Sequence, residues 1–294
     1  MDKRVKFDFE IDFTNGGGLQ GRDFRLDILG DDISDGKLAG SIVRDMRLLM
    51  VGNVRILNKQ IITEPHKRGS GGNPSAPGRY VDLSHAIHDG LVTYKGLPAP
   101  VICDYLSREA SRERYAPGTE FQIARIDMVA NTGTYVDCPF HRYADGEDLS
   151  EVGLERFAGL EAIVIRAHHH EGLSVGVEHF KNRNLKDLAV LVHTGWDMHW
   201  ATEAYFQNHP FLTQAAAEYL RDSGVKLVGI DSVNIDDTRG GSRPVHSALL
   251  RSGILIAEHL CNLGDIPDSG FTFSAIPPKF KGVGTFPVRA FAAL

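Results

Sequence analysis

The stretch NTGTYVDCPFH, residues Asn131 to His141, gathers an unusual number of polar groups around a Gly-Thr pair. If its middle is extended, the two-residue period of a strand places four polar side chains on one face: Asn131, Tyr135, Asp137 and His141. Pro139 cannot donate to a ladder, so the segment is expected to leave the sheet there. This pattern is typical of an active site at a strand end, although a solvated edge strand has the same spacing.

A second group of chemistry-bearing residues lies in RPVHSALLRSGILIAEHL. His246 begins a predicted helix, and Glu258 follows the apolar run Ile254 to Ala257. A carboxylate at the end of a buried strand is costly unless a partner compensates its charge. One imidazole and two carboxylates form a donor set for zinc, manganese or iron(II). Spacing alone does not bring Asp137 to this pair, and a helix-start His with a Glu paired to an arginine remains the alternative.

Residues 1–67 predict a small α+β unit of ββαββ order. VKFDFEIDF and DFRLDI alternate strictly, and the glycines between them predict a hairpin. Gly16, Gly18 and Gly21 also fit a dinucleotide pattern, but a strand follows them instead of a helix, so no nucleotide cofactor is expected. Ser34 caps a predicted helix that ends before Gly52, and strands around VRILNKQII follow.

Residues 68–78 are rich in Gly, Ser and Pro, which predicts a flexible linker. Beyond them, residues 79–294 contain short apolar runs without alternation, such as AIVIRA, LAVLVHTG and GILIAEHL. Such runs indicate strands buried on both faces, and helical segments separate some of them. The sequence therefore predicts an α/β catalytic domain that follows the linker.

Composition excludes several functions. The net charge of −6 and the pI near 6.1 disfavour nucleic-acid binding, which needs a clustered basic face. Charged residues interrupt the first apolar positions, so neither an export signal nor a membrane association is expected. Three cysteines without close pairing favour free thiols in a reducing compartment, and we expect a cytoplasmic protein.

Residues 80–294 resemble the cyclase family of metal-dependent hydrolases, whose best-known members are the bacterial kynurenine formamidases. The resemblance follows, in order, VDLSHAI, NTGTYVDCPFH, VLVHTGWD, GIDSVNID, RPVHSALLRSGILIAEHLCNL and FTFSAIPPKFKGVGTFPVRA. It implies a mixed β-sheet core with flanking helices and a homodimer or homotetramer. It also implies hydrolysis of an amide, N-formyl or lactone bond in a small, aromatic or cyclic substrate.

The family signature is His-x-Gly-Thr-His-x-Asp-x-Pro-x-His, and this chain has Asn131 and Tyr135 at the first two histidines. Both replacements remove an imidazole, so one of the family's two metal positions is expected to be lost. The resemblance implies that one divalent ion, zinc or manganese, is held by Asp137, His246 and Glu258. It assigns general acid/base chemistry to His141.

Two other functions fit the altered signature. A metal-independent lyase, dehydratase or cyclase would use the side chains of Asn131, Tyr135 and His141 directly. A non-catalytic binding protein could also retain the fold. Some further residues have two interpretations each, as site groups or as ordinary packing and capping residues: Cys138, the histidines 168–170, Trp196, Trp200, Asp231, Ser232, Asp236 and Arg289.

Overall fold

The structure is a computed structural model that describes residues 2–28, 32–46, 48, 50–64 and 79–294. Its chain divides into two compact units, Met1–Ala76 and Pro77–Leu294. The predicted linker, residues 68–78, lies outside the described residues. Within the described ranges, no helix is both long and apolar enough to cross a bilayer.

The first unit is a three-stranded antiparallel sheet with one helix, built from β1 (Asp2–Phe13), β2 (Gly18–Asp27), α1 (Asp35–Asp45) and β3 (Val51–Glu64). The strand order is β2-β1-β3. One face of β1 packs against Leu38 and Ile42 of α1, as its alternating pattern predicts.

The prediction of a fourth strand in this unit is wrong, because residues 51–64 form one long strand. Asn58 has a φ of 51°, and the register between β1 and β3 shifts between Lys6 and Asp8. A residue in the left-handed region accommodates such a bulge, which bends a strand without ending it. The polar stretch around Asn58 therefore resembles a turn in the sequence but lies inside a continuous ladder.

The second unit is built on a nine-stranded mixed sheet of order β15-β7-β13-β12-β10-β8-β14-β16-β4. Its first elements are β4 (Tyr80–Asp82), β5 (Val101–Leu106), α2 (Arg108–Arg112), β6 (Ile123–Asp127), β7 (Tyr135–Asp137), β8 (Leu160–Arg166), β9 (Ser174–Val175) and β10 (Ala189–His193). The later elements are β11 (Phe211–Leu212), α3 (Gln214–Asp222), β12 (Leu227–Ile230), α4 (Pro244–Arg251), β13 (Leu255–Glu258), β14 (Phe271–Ser274), β15 (Thr285–Pro287) and β16 (Phe291–Ala293).

The central strands β8, β10, β12 and β13 are parallel, whereas β7 pairs antiparallel with both β13 and β15. Two separate hydrophobic clusters pack around this sheet. This arrangement explains the unbroken apolar runs, because the central strands are covered on both faces. The predicted mixed α/β fold is confirmed.

The strand pairing brings the distant motifs together. Tyr135 on β7 lies opposite Glu258 on β13, and Asp137 lies opposite Thr285 on β15. The β12–α4 connection returns the first turn of α4, with His246, to the same end of the sheet. The carboxyl ends of parallel strands are where open α/β sheets place their ligands.

Candidate active site

The structure brings together the three side chains expected to hold a metal. Asp137 Oδ2 and Glu258 Oε1 each lie 3.7 Å from His246 Nε2. All three side chains are buried. We call Asp137, His246 and Glu258 the carboxylate–histidine set.

Asp236 fixes the orientation of the His246 ring. Its Oδ2 accepts from His246 Nδ1 at 2.6 Å and from the His246 backbone N–H at 3.0 Å, and its Oδ1 accepts from Val245 N at 2.8 Å. The same carboxylate therefore binds the first turn of α4 and leaves Nε2 directed at the other carboxylates. The position of Asp236 just after a buried strand was the only sequence signal for this role.

Thr285 joins Asp137 to His141. Its hydroxyl donates to Asp137 Oδ1 and lies 2.6 Å from His141 Nδ1. Because the hydroxyl hydrogen is used by Asp137, His141 Nδ1–H donates to Thr285 and leaves Nε2 with the lone pair. Asp137, His141 and His246 each have an atom that could bind a metal ion, and these three atoms lie within 4.8 Å of one another.

Strict alternation over residues 131–141 is a wrong expectation. Only Tyr135–Asp137 forms a β-strand, Gly133 has a φ of 66°, and Pro139–His141 form a 3₁₀ turn. His141 reaches Asp137 because this turn folds the chain back, and its ring is partly exposed. Pro139 begins the turn, in agreement with the expectation that the segment leaves the sheet there.

Glu258 is held by three donors. Tyr135 Oη donates to Oε2 at 2.6 Å, Asn234 Nδ2 approaches the same oxygen at 3.5 Å, and Ile235 N donates to Oε1 at 2.6 Å. Burial raises the pKa of the Glu258 carboxyl to about 7 and that of the Tyr135 phenol well above its ordinary value. Tyr135 is therefore a neutral donor committed to Glu258.

The electrostatics of the set favour a cation at its centre. Burial lowers the pKa of His246, but contacts with Asp137 and Asp236 outweigh burial and raise it to about 10. Burial likewise opposes ionisation of Asp137, yet His141, His246 and Thr285 bring its pKa below the ordinary value. Asp137 Oδ2 is also buried and has no hydrogen-bond partner among the described residues.

These donors fit one divalent ion and do not fit two. Two carboxylates and one or two imidazoles match the ligand preferences of zinc and manganese. Asn131 and Tyr135 supply no further imidazole nitrogen. Asn131 is half-buried, and no hydrogen bond in residues 79–294 joins its side chain to the carboxylate–histidine set.

A second group of rings adjoins Tyr135, and the sequence analysis identified only one of its members, Trp200, as a possible site residue. We call it the aromatic cluster: His85, Trp200, Tyr205 and His259. His85 stacks on Trp200 with ring centres 3.9 Å apart, and His259 Nδ1 lies 2.9 Å from Tyr205 Oη. Burial lowers the pKa of His85 to about 4 and that of His259 to about 3. Both imidazoles are thus neutral.

Most of the residues with two interpretations have packing or capping roles. Burial raises the pKa of the Cys138 thiol to about 11, which leaves it a poor nucleophile. Trp196 is buried and donates its indole N–H to the Tyr205 carbonyl at 2.9 Å. Asp231 accepts from the Thr194–Gly195 backbone. Arg289 forms an ion pair with Asp82.

Two buried carboxylates at the ends of strands, beside a buried histidine in the first turn of a helix, form an arrangement suited to metal-dependent hydrolysis of small molecules. A family model described as "Putative cyclase" matches residues 81–237. The kynurenine formamidase of Delftia acidovorans is 31% identical over 180 residues, which cover 59% of this chain and 81% of that protein. The chain belongs to the cyclase family and is a hydrolase of that family.

Solved structures share the fold. Isatin hydrolase A from Labrenzia aggregata superposes with a TM-score of 0.64 at 22% identity, covering 74% of this chain and 93% of its own. A protein described as a predicted metal-dependent hydrolase from Bacillus stearothermophilus gives a TM-score of 0.58 at 25% identity, covering 74% and 98%. Each comparison leaves about a quarter of this chain unmatched.

Proposed function

We propose that residues 79–294 form a hydrolase that opens an amide, N-formyl or lactone bond in a small aromatic or cyclic substrate. The observation that carries this proposal is the convergence of Asp137 Oδ2 and Glu258 Oε1 on His246 Nε2, each at 3.7 Å. Two buried carboxylates facing one imidazole need a positive charge, and a divalent ion would supply it.

In this proposal Asp137, His246 and Glu258 hold one zinc or manganese ion. When bound, such an ion polarises a scissile carbonyl and lowers the pKa of water towards about 7. Tyr135 and Asp236 do not touch the substrate. Tyr135 holds Glu258 through Oε2, and Asp236 holds His246 through Nδ1.

His141 moves the proton. Its Nδ1–H is fixed on Thr285, so its Nε2 lone pair accepts a proton from the attacking water and returns it to the leaving nitrogen or oxygen. The ring is partly exposed, which lets it exchange protons with solvent. Asn131 is half-buried and belongs to the same segment as His141. We assign its amide to binding the substrate carbonyl.

A second candidate is a metal-independent lyase, dehydratase or cyclase on the same fold. The observation that favours it is the contact of His246 with three carboxylates, those of Asp137, Asp236 and Glu258. Against the effect of burial, the contacts with these carboxylates raise the pKa of His246 to about 10, so a protonated imidazole could neutralise them without a metal. His141 would then move protons beside a charged His246. The Tyr135 hydroxyl bound to Glu258 argues against its use as an oxyanion donor.

Metal analysis joined with kinetics separates these candidates. We expect protein purified without chelator to contain a stoichiometric divalent ion and to hydrolyse formanilide. Asp137→Ala should lose both the metal and the activity. Asp237→Asn, a change in an exposed carboxylate beside Asp236, is the matched control and should keep both. Full activity after removal of all metal would reject the leading proposal in favour of the second candidate.

We also propose that the protein is a homo-oligomer that buries its β5–β6 arm. This two-stranded ribbon is a separate sheet, and all five residues of β6 are exposed. Tyr105 and Ile126 are 74% and 58% exposed. An isolated two-stranded ribbon is only marginally stable in water, and a second copy would cover its apolar side chains. Light scattering should show a dimer or tetramer, and Tyr105→Glu with Ile126→Glu should shift it to monomer.

The proposed location is the cytoplasm. Cys103, Cys138 and Cys261 are all free thiols, and Cys103 is exposed. Free exposed thiols are typical of a reducing compartment. A fluorescent fusion expressed in the source cell should distribute through the cytoplasm, and an envelope location would contradict this proposal.

A further inference from the structure

The segment that follows β8 encloses a small cavity. It consists of the 3₁₀ turn His169–Glu171, the strand β9 and the 3₁₀ turn Val177–His179. The cavity has a volume of about 30 Å³, and three side chains with metal-binding atoms line it: His168, Glu171 and His179. No residue of the carboxylate–histidine set lines this cavity.

The volume of the cavity decides what it can hold. A water molecule needs about 10–15 Å³, whereas pockets for small organic molecules occupy about 300–1,000 Å³. The cavity therefore has room for one ion and is far too small for an organic substrate.

The three side chains are not committed to other partners. Within residues 79–294, the His168 ring stacks on another ring but makes no hydrogen bond and no ion pair. His179 Nε2 lies 3.7 Å from Glu178 Oε1. Glu171 Oε1 lies 3.8 Å from His170 Nε2. Both distances are too long for a hydrogen bond, so His179 and Glu171 keep lone pairs available for an ion.

Buried residues fix the backbone around the cavity. Strand β9 pairs with β11, and its Val175 is buried. Phe180, directly after His179, is fully buried, and its N–H donates to the Val177 carbonyl at 3.0 Å. These anchors hold both turns in place, so rotation of the side chains alone is needed to bring the donor atoms together.

We propose that His168, Glu171 and His179 form a second metal site, which binds one zinc ion. Two imidazoles and one carboxylate are a donor set that zinc uses in proteins, whereas magnesium and calcium prefer oxygen ligands. The ion joins the turn after β8 to the turn before Phe180 and stabilises this segment. This proposal is independent of the proposed function, because the two sites share no residue.

The second site binds zinc more weakly than the proposed hydrolytic centre. In the part of the chain that the structure describes, only Asp137, His141 and His246 have three donor atoms within 4.8 Å of one another. Binding at the second site must therefore draw its side chains together, which costs rotamer freedom. We expect this site to fill only when zinc is added to the purified protein.

Calorimetric titration of the purified protein with zinc chloride tests the proposal. We expect wild type to bind one added equivalent at this site. His168→Gln combined with His179→Gln should weaken this binding by about a hundredfold or more, because two ligands are lost and changes in orienting partners alone cost about 10- to 100-fold. His199→Gln, a partly exposed histidine that does not line the cavity, is the matched control and should bind as wild type does.

Glu171→Gln is the second variant, in case the double variant does not fold, and should weaken the binding of added zinc about tenfold or more. No binding of added zinc by wild type would overturn the proposal. The same affinity in wild type and in the variants of the cavity would also overturn it.

Asp137→Ala distinguishes this proposal from the proposed function. The variant lacks a ligand of the hydrolytic centre and should still bind one added zinc ion with the affinity of wild type. Loss of that binding would overturn the proposal, since the added ion would then belong to the carboxylate–histidine set. A wild type that is purified without metal but binds the added equivalent would count against the proposed function alone.

Discussion

The carboxylate–histidine set and the aromatic cluster are adjacent, and both are largely buried. They differ in how their buried polar atoms are stabilised. In the first, opposite charges and fixed donors hold each group, and the pKa of His246 is raised to about 10. In the second, stacking and one tyrosine hydroxyl hold neutral imidazoles, and the pKa of His259 is lowered to about 3. The difference divides this region into a charged side, on which the proposed hydrolysis depends, and a neutral aromatic side.

The largest effect is expected on the charged side. Glu258→Gln replaces an anionic ligand by a neutral amide whose N–H₂ also faces donors, so kcat/KM should fall by about a thousandfold or more. Steady-state kinetics and metal content measure it. Glu203→Gln, in an exposed ion pair with Lys95, is the matched control and should leave both unchanged. A Glu258→Gln enzyme with normal metal content and a normal rate would show that the Glu258 carboxylate is needed neither for metal binding nor for catalysis.

Asp236→Asn should act more weakly and through the metal. The carboxylate orients His246 through Nδ1 at 2.6 Å, and changes in such an orienting partner typically weaken metal affinity by about 10- to 100-fold. Competition with a chelator measures the affinity. Asp237→Asn changes the neighbouring exposed carboxylate and should have no effect. Similar affinities for the two variants would mean that His246 needs no orienting partner.

Substitution of Tyr135 and of Tyr205 compares how much each contributes to stability, Tyr135 on the charged side and Tyr205 on the aromatic side. Tyr135→Phe leaves the buried Glu258 Oε2 without its 2.6 Å donor, so the free energy of unfolding should fall by about 1–3 kcal/mol. Tyr205→Phe removes a donor from a neutral imidazole nitrogen and should cost less, about 1 kcal/mol. Urea denaturation of metal-free protein measures both. Equal losses of stability, or a larger loss for Tyr205→Phe, would contradict the contrast between the charged and the neutral side.

The smallest effect concerns acid stability on the aromatic side. Burial lowers the pKa of His85 in the folded protein to about 4, below its ordinary value of 6.5. The stability that His85 contributes is thus present above pH 6.5 and is lost as the pH falls towards 4. Because His85 is partly exposed, the loss should stay below about 1 kcal/mol per pH unit.

Urea denaturation between pH 7.5 and pH 5 should show a shallower decline for His85→Gln than for wild type. His88→Gln, three positions further and exposed, is the control. Parallel declines in wild type and His85→Gln would show that His85 is protonated in the folded protein at the same pH as in the unfolded chain.

The resemblance to the cyclase family predicted part of the candidate site. Asp137, His246 and Glu258 were identified from their places in the cyclase-like segments, and the fold brings them together. Thr285 and Asp236 were not assigned, because each acts by a hydrogen bond to a residue that only strand pairing brings near. His259 had no signal either, since a histidine after a strand has no distinctive spacing.

The first unit shows the same limit of prediction from sequence, here within a single sheet. Alternation predicted β1 and β2 and the buried face of β1. It did not predict that β3 continues through Asn58, because a bulge and a turn favour the same polar residues. Only the hydrogen-bonded partner strand distinguishes them.

The sequence by itself determined the α/β class, the hairpin of the first unit, the cyclase-like segments and the loss of two imidazoles at Asn131 and Tyr135. These are local properties, because period, turn chemistry and residue type need no knowledge of distant neighbours. The tertiary structure decided that Tyr135 donates to Glu258, that Thr285 joins Asp137 to His141, and that the His259 ring lies between Tyr205 and Tyr135. Such contacts join residues up to 148 positions apart, and a hydrogen bond forms only where folding brings donor and acceptor within about 3 Å.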